Sequence, residues 1–351
     1  MLRLCFVGPM IGRHPEYVTT QQEILDDLFA SAGYPVISVS TALSRYVRLL
    51  DIVATLIRRR HDVDIQCLQV FGGRSFVVED LASWFGWRFG QRIIMVLRGG
   101  AMPEFMARHP QWTRRVLSRA DALVAPSAFL ARAVVPYGFQ AQVISNVIDL
   151  AKYPYRPRQA IGPRLFWMRS FDPVYNPLMA IRVLARLRSI MPMASLIMAG
   201  KDKGLECETR RLAEKLGLNG AVHFPGFLDM AAKVREGNAA DIYINTNHVD
   251  NMPVTVVEAC AMGLPVVATA VGGIPDLLTD GETGLLVPDN DDQAMTAAIH
   301  RLLNEPALAT RLSTNGRQLA ERSSWEKVRP LWEQLFAEVM ARPPRSRMES
   351  L

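Results

Sequence analysis

The chain is poor in the residues that build metal centres and disulfide frameworks. Cysteine occurs four times, as Cys5, Cys67, Cys207 and Cys260, at spacings that match no metal-ligand pattern. Cys5 and Cys67 fall in strand-like runs and Cys260 in a helix-like one, so buried reduced thiols are expected. No apolar run approaches the ~18 residues that cross a bilayer. The apolar start is cut at Gly8 and Pro9, too early for a signal peptide, and reads as a first buried strand. A cytoplasmic protein is the expectation. Charge of neither sign dominates: 40 Lys and Arg stand against 34 Asp and Glu, for a net +6. That excess points only weakly to anionic partners such as phosphate or an acidic membrane surface. Zinc fingers, aromatic RNA-binding motifs and basic helix–turn–helix patterns are all missing, so nucleic acid is not expected as a partner. The run Arg58 to His61 reads as a solvated helix end.

What is present is a long alternation of strands and helices. The 351 residues suit two domains, and 49% hydrophobic with 21% charged content is that of a folded chain. Short apolar runs at 2–8, 35–40, 64–70, 91–97 and 121–127 predict buried strands, with helical periodicity between them, as at 20–32. The pattern restarts after the proline-rich segment 143–163, giving strands at 164–170, 194–200, 221–226, 241–246, 265–270 and 283–288. Helices are predicted at 177–190 and 254–262, a helical pair at 291–321, and a last amphipathic segment at 325–341 interrupted at Pro330. Apolar strands alternating with helices imply parallel sheets covered on both faces, an α/β class with ligands at the carboxyl ends of the strands. The boundary falls inside the linker, giving domains 1–155 and 156–325 and a terminal helix, 326–351, packing back toward the first domain.

The stretch "HVDNMPVTVVEACAMGLPVVATAVGGIP", residues 248–275, sets Asp250 and Glu258 around a helix start and follows with Gly272-Gly273. A helix beginning at a strand's carboxyl end offers unpaired N–H groups and a positive dipole end, which suit phosphate. Glu258, about a turn into that helix, is placed to accept hydrogen bonds from ribose. The same residues equally fit a capping Asp250, a solvent-facing Glu258 and an ordinary glycine loop.

The segment "DNMPVTVVEACAMGLPVVATAVGGIPDLLTDGETGLLVP" resembles the signature of the retaining glycosyltransferases of the GT4 family, nearly continuously over about forty residues. "VISNVIDLAKY" and "LIMAGKDKG" are more weakly similar to the family's linker and phosphate-domain strand. The resemblance implies a GT-B fold, two Rossmann-like doubly wound domains facing each other across a cleft, the first for the acceptor and the second for the donor. It implies transfer of a sugar from a UDP- or GDP-linked donor to a glycan or lipid-linked acceptor, in bacterial polysaccharide or glycolipid synthesis, with no cofactor or metal required. By position, Glu258 takes the ribose, Asp250 the donor sugar near its anomeric carbon, and the amides of Thr255 and Val256 the diphosphate, whose departing charge Arg169 neutralises. The donor site then comprises Arg169, Asn176, Gly200, Lys201, Asn251, Met252, Pro253, Val254, Thr255, Val256 and Glu258, with Asp250, Arg169 and Glu258 catalytic.

Departures from the pattern are specific. Asp250 is one methylene shorter than the family's glutamate. Asn176 stands where a lysine is expected, leaving Lys201 or Lys203 as substitutes. Glu16-Tyr17 replaces a Gly-Gly pair, and Arg98-Gly99-Gly100 replaces a His-Gly, so Arg98 supplies a second positive charge or receives an anionic acceptor. A lone "DVD" at residues 62–64 is too common by chance to imply a metal. "SWFGWRFG", residues 83–90, is half buried helix and half candidate surface for acceptor or membrane, consistent with work at the inner face of a cytoplasmic membrane. A diverged sugar-nucleotide-binding partner protein and a GT-B-like sugar-nucleotide epimerase are the alternatives.

Overall fold

Six short apolar runs become the parallel strands of the first of two units. The computed structural model describes residues 1–14 and 17–343. It divides into Met1–Val147 together with the segment from Trp325, and Ile148–Ser324. In the first unit β1 (Leu4–Val7), β2 (Val36–Val39), β3 (Ile65–Phe71), β4 (Arg92–Arg98), β5 (Ala122–Ala125) and β6 (Ala141–Val143) form one sheet in the order β2-β1-β3-β4-β5-β6. Every pairing is parallel, which demands crossovers and so helices between strands. These are α1 (Gln21–Ser31), α2 (Arg45–Arg58), α3 (Phe76–Arg88), α4 (Met102–Arg108), α5 (Pro110–Leu117) and α6 (Ala128–Ala133). The helix α1 starts where the Thr20 hydroxyl and the Glu23 carboxylate cap each other's backbone amides.

The second unit repeats the scheme with β7 (Arg164–Met168), β8 (Ser195–Ala199), β9 (Val222–Gly226), β10 (Ile242–Asn245), β11 (Val266–Thr269) and β12 (Leu285–Val287), in the order β12-β11-β10-β7-β8-β9. Its helices are α7 (Pro177–Ile190), α8 (Glu206–Lys215), α9 (Met230–Ala239), α10 (Val254–Ala261), α11 (Ile274–Leu277), α12 (Asp292–Asn304) and α13 (Pro306–Glu321). Two apolar layers, one on each face, bury the strands: Trp167, Leu184 and Ile299 on one side, Tyr243, Val257 and Ile274 on the other. The segment after Val147 is tied to this unit by Arg158, whose buried guanidinium donates to the carbonyls of Arg156, Gly237 and Ala240.

Two elements depart from expectation. The edge strand β6 is absent from the sequence reading because "AQV" is three residues long and partly exposed, leaving no apolar run to detect. The last helix, α14 (Trp325–Ala341), continues through Pro330. Proline removes one hydrogen bond from the ladder. Here its ring lies on the exposed side, while Val328, Trp332, Leu335, Phe336 and Val339 are buried with Phe6 and Phe29 and hold the helix on both sides of the defect.

Candidate functional site

Strand order reverses between β7 and β10, which pair directly in the sheet although α7, β8, α8, β9 and α9 separate them in sequence. Ligands of open parallel sheets sit outside the carboxyl ends of strands at such a reversal. Arg169 follows directly on β7, and the loop Thr246–Pro253 follows β10 and leads into α10. The fold thus brings Arg169, Asp250 and α10 together from positions 81 residues apart.

The Asp250 loop is pinned from several sides. One oxygen of its carboxylate accepts from Arg169 Nη2 and, at 2.6 Å, from Asn247 Nδ2. The other accepts from the Asn251 amide at 2.7 Å. The glycine pair supplies the backbone support: the Gly273 amide donates to the Asp250 carbonyl at 3.0 Å. Gly272 has φ +54°, and a Cβ there would stand 1.9 Å from that same carbonyl oxygen. Only glycine permits this approach. Arg169 and Asp250 are 13% and 12% exposed, and the guanidinium lies 4.0 Å over the Tyr175 ring. Burial alone would weaken the Arg169 cation, but the Asp250 carboxylate outweighs it and holds the group above its ordinary pKa. A β-carbon at Gly200 would fall 1.8 Å from the Arg169 carbonyl, so that glycine lets the end of β8 close on the arginine's backbone.

Glu258 is buried, not solvent-facing. Its Oε1 accepts from the Tyr153 hydroxyl at 2.7 Å and from Lys233 Nζ at 2.6 Å. Its Oε2 is buried and finds no partner among the described residues, nor do Arg169 Nε and Asn247 Oδ1. Burial and the Glu258 charge push the Tyr153 phenol far up, so it remains a donor. Unpaired buried polar atoms are rare in native structures, and these keep bonding capacity for water, an ion or a ligand. Neither Tyr153 nor Lys233 was singled out in the sequence: they lie 105 and 25 residues from Glu258, Tyr153 at the end of the linker segment "VISNVIDLAKY" and Lys233 outside the quoted segments.

The remaining candidates are distributed as follows. Asn176 caps α7: it lies in the left-handed region at φ 47°, accepts from the Met179 amide and donates to Asn290 Oδ1. Asn251, Met252 and Pro253 are buried in the loop, and Pro253 is the N-cap of α10. Val254 and Thr255 open α10, and the Val256 amide donates to the Pro253 carbonyl at 3.0 Å. Lys201 is exposed after β8, and its carbonyl accepts from the Phe171 amide. In the first unit Arg98 ends β4, 9% exposed and donating to Asn146 Oδ1. Burial draws its pKa down to about 10, and no carboxylate is paired with it among the described residues. Its Nε, Gln22 Oε1 and Trp332 Nε1 are all unpaired, and these three residues line one small internal cavity. Gly99 at φ +80° and Gly100 follow Arg98. Tyr17 packs edge-on to His14, while Glu16 lies outside the described residues.

Residues 161–319 match the family model of glycosyl transferases group 1. A glycogen synthase of Mycobacterium tuberculosis is 27% identical over 65% of this chain and 60% of its own length. The chain thus spans less than two thirds of that relative. A GDP-mannose-dependent alpha-(1-6)-phosphatidylinositol monomannoside mannosyltransferase of Mycolicibacterium smegmatis is 26% identical over 90% of this chain and 88% of its own length. Among solved structures, a sucrose-phosphate synthase from Thermosynechococcus elongatus superposes with a TM-score of 0.80 at 19% identity, covering 97% of this chain and 100% of that one. Anabaena HepE in complex with UDP superposes with a TM-score of 0.76 at 16% identity, over 96% and 100%. These likenesses establish the fold: the chain has the GT-B architecture of two Rossmann-like domains.

Proposed function

We propose, from a chain that belongs to the glycosyl transferases group 1 through residues 161–319, a retaining transferase that moves a sugar from a nucleoside diphosphate to an acceptor. The observation that carries this reading is the state of Glu258. One carboxylate oxygen is locked by Tyr153 and Lys233, and the other is buried and unpaired. A carboxylate so divided is oriented by the protein through one oxygen and left with acceptor capacity for ribose hydroxyls on the other.

With ribose on Glu258, the diphosphate lies toward the first turn of α10, where the helix dipole is positive. Arg169 then faces the bond that breaks, and its charge is permanent over the working pH range. Stabilising the departing diphosphate in this way lowers the barrier because the negative charge grows only as the glycosidic bond opens. Asp250, fixed by Arg169, Asn247 and its own loop, is turned toward the donor sugar. No side-chain nucleophile is assigned, and the departing phosphate oxygen takes the acceptor's proton on the face it leaves. Arg98, Gly99, Gly100 and Tyr17 belong to the acceptor side, where a buried arginine without an acid partner suits an anionic group. The acceptor is a glycan or a lipid-linked sugar, and the protein touches an anionic membrane peripherally while using it.

Thermal-shift titration with UDP, GDP and ADP, followed by turnover of the matching sugar donors, tests the reading. UDP or GDP is expected to raise the melting temperature, and the corresponding donor to release nucleoside diphosphate in the presence of acceptor. Tight nucleotide binding with no turnover of any donor would overturn transfer in favour of a binding protein. Turnover without acceptor to an epimeric sugar nucleotide would do so in favour of an epimerase.

A further inference from the structure

Two helices of the first unit carry apolar stripes that their own core does not use. In α2, Ile52 and Leu56 face the core and are buried. A second stripe, Tyr46, Leu50, Val53 and Ile57, follows the spacing i, i+4, i+7 and i+11 on another face. Tyr46 and Leu50 are both 71% exposed, and Leu43 and Val47 beside them are also exposed. In α3 the residues Val77, Leu81 and Trp84 repeat that spacing, all exposed, and Arg88 continues the line. The two helices pack side by side. Both cross over in the same direction along the sheet, β2 to β3 and β3 to β4, and right-handed crossovers place them on one face. The opposite face is covered by α1 and α14.

The charges around these stripes are one-sided. Residues 43–62 hold five arginines (45, 48, 58, 59 and 60) and two acids, Asp51 and Asp62, the latter paired with Arg59 at 3.0 Å. Asp51 is already bonded to the Ser40 hydroxyl, at 2.5 Å. The acids of α3 are likewise committed: Glu79 is buried, and Asp80 accepts from Arg119 and Trp112. Arg45, Arg58 and Arg88 have no carboxylate partner among the described residues. A second copy seated on this face would oppose the same arginines to each other, which is unfavourable. An anionic bilayer matches both features, taking the apolar stripes between its headgroups and the arginines onto its phosphates.

We infer that the exposed face of α2 and α3 is a docking surface for an anionic lipid bilayer, with Tyr46, Leu50, Ile57, Leu81 and Trp84 inserting at headgroup depth and Arg45, Arg58, Arg60 and Arg88 binding lipid phosphates. This deepens the membrane part of the proposed function by naming its surface. It is independent of the donor site in the second unit.

The test is co-sedimentation of the full chain with vesicles of phosphatidylcholine alone or with about a third phosphatidylglycerol. Binding is expected only with the anionic vesicles and is weakened by salt. Replacing Arg58 and Arg60 together by alanine should weaken it about 10- to 100-fold, at roughly one order of magnitude for every one to two cations. Leu50→Glu with Trp84→Glu should abolish it while leaving the melting temperature and the nucleotide-induced shift unchanged. Brominated lipid should quench fluorescence of the wild type more than that of Trp84→Phe. Equal binding to neutral and anionic vesicles, or binding unaffected by the Leu50 and Trp84 changes, overturns the inference. So does a concentration-dependent dimer that Leu50→Glu dissolves, which would assign the face to a second copy. Glu258→Ala separates the two readings, since it should lose nucleotide binding and still sediment with vesicles.

Discussion

Replacing Gly272 by alanine tests whether the glycine corner positions the Asp250 loop. The added Cβ would stand 1.9 Å from the Asp250 carbonyl oxygen, where real β-carbons essentially never come closer than 3.0 Å. Backbone on both sides must therefore retreat by about 1 Å. The residue also sits at φ +54°, a region that costs an alanine about 1–2 kcal/mol. Overpacking against backbone adds roughly 1–3 kcal/mol. Together these, about 2–5 kcal/mol, predict a fall in melting temperature of roughly 4–20 °C for a unit of this size. The functional consequence exceeds the thermal one. A displacement of about 1 Å in a positioning group costs on the order of 100-fold in rate, so turnover should fall by about that factor. Affinity for the bare nucleotide should change little, because Glu258, Tyr153 and Lys233 lie on other segments. The assays are differential scanning fluorimetry, calorimetric titration with the preferred nucleoside diphosphate, and donor turnover. A Gly272→Ala protein with wild-type melting temperature and wild-type turnover would refute the coupling between corner and loop.

Glu258→Ala removes the proposed ribose acceptor and takes the shared carboxylate away from Lys233 and Tyr153. Charge-assisted hydrogen bonds contribute about 1.5–3 kcal/mol, so nucleoside diphosphate should bind about 10- to 100-fold more weakly by calorimetry, and unaltered affinity would disprove the ribose assignment. Arg169→Lys keeps a charge but loses the planar fork that pairs with Asp250 and stacks on Tyr175. Turnover is expected to drop about 100-fold with little change in nucleotide affinity, and an equal loss in both would point to a role in binding instead. Burial raises the Glu79 carboxyl to about 8 in the fold, from its ordinary 4.5. A group with a raised folded pKa stabilises fully below its unfolded pKa, and that contribution is lost as pH rises through the folded value. Stability should thus decline between about pH 4.5 and 8 by up to ~1.4 kcal/mol per pH unit from this group. Melting curves of Glu79→Gln across that window should be flatter than those of the wild type; parallel curves would remove Glu79 as the cause.

Strands and helices were legible where burial was two-sided. The runs that became β4, β10 and β11 are largely apolar segments bounded by turns, the mark of strands covered on both faces. Helix α7 was legible in full because its apolar residues recur along one face with arginines opposite. β6 and the continuity of α14 were not, since a three-residue exposed edge leaves no pattern and a proline's effect depends on which side of the helix meets water. In the site, Asp250, Glu258 and the glycine pair lie within one stretch of 24 residues and announce themselves by spacing. Tyr153 and Lys233 reach Glu258 only through the fold, from a linker and from α9. A charge partner contributed by a distant element leaves no local trace. The same holds for Asn176, whose αL capping role depends on its backbone angle and not on its neighbours in sequence.

The return of α14 to the first unit has a consequence for how the chain is made. The core of that unit, with Phe6 and Phe29 against Trp332 and Phe336, is incomplete until the ribosome has passed residue 341. During all of that synthesis the whole second unit stands between the two parts, and a flexible loop of that length would resist closure. The second unit removes the obstacle when it folds, because its own ends meet: the Ile148 amide donates to the Ser323 carbonyl at 2.9 Å, and Ile148 bridges Ser324. A folded second unit therefore brings Ser324, the residue before α14, beside Ile148, where the chain enters that unit. The second unit, once folded, acts as the staple that lets the first unit finish.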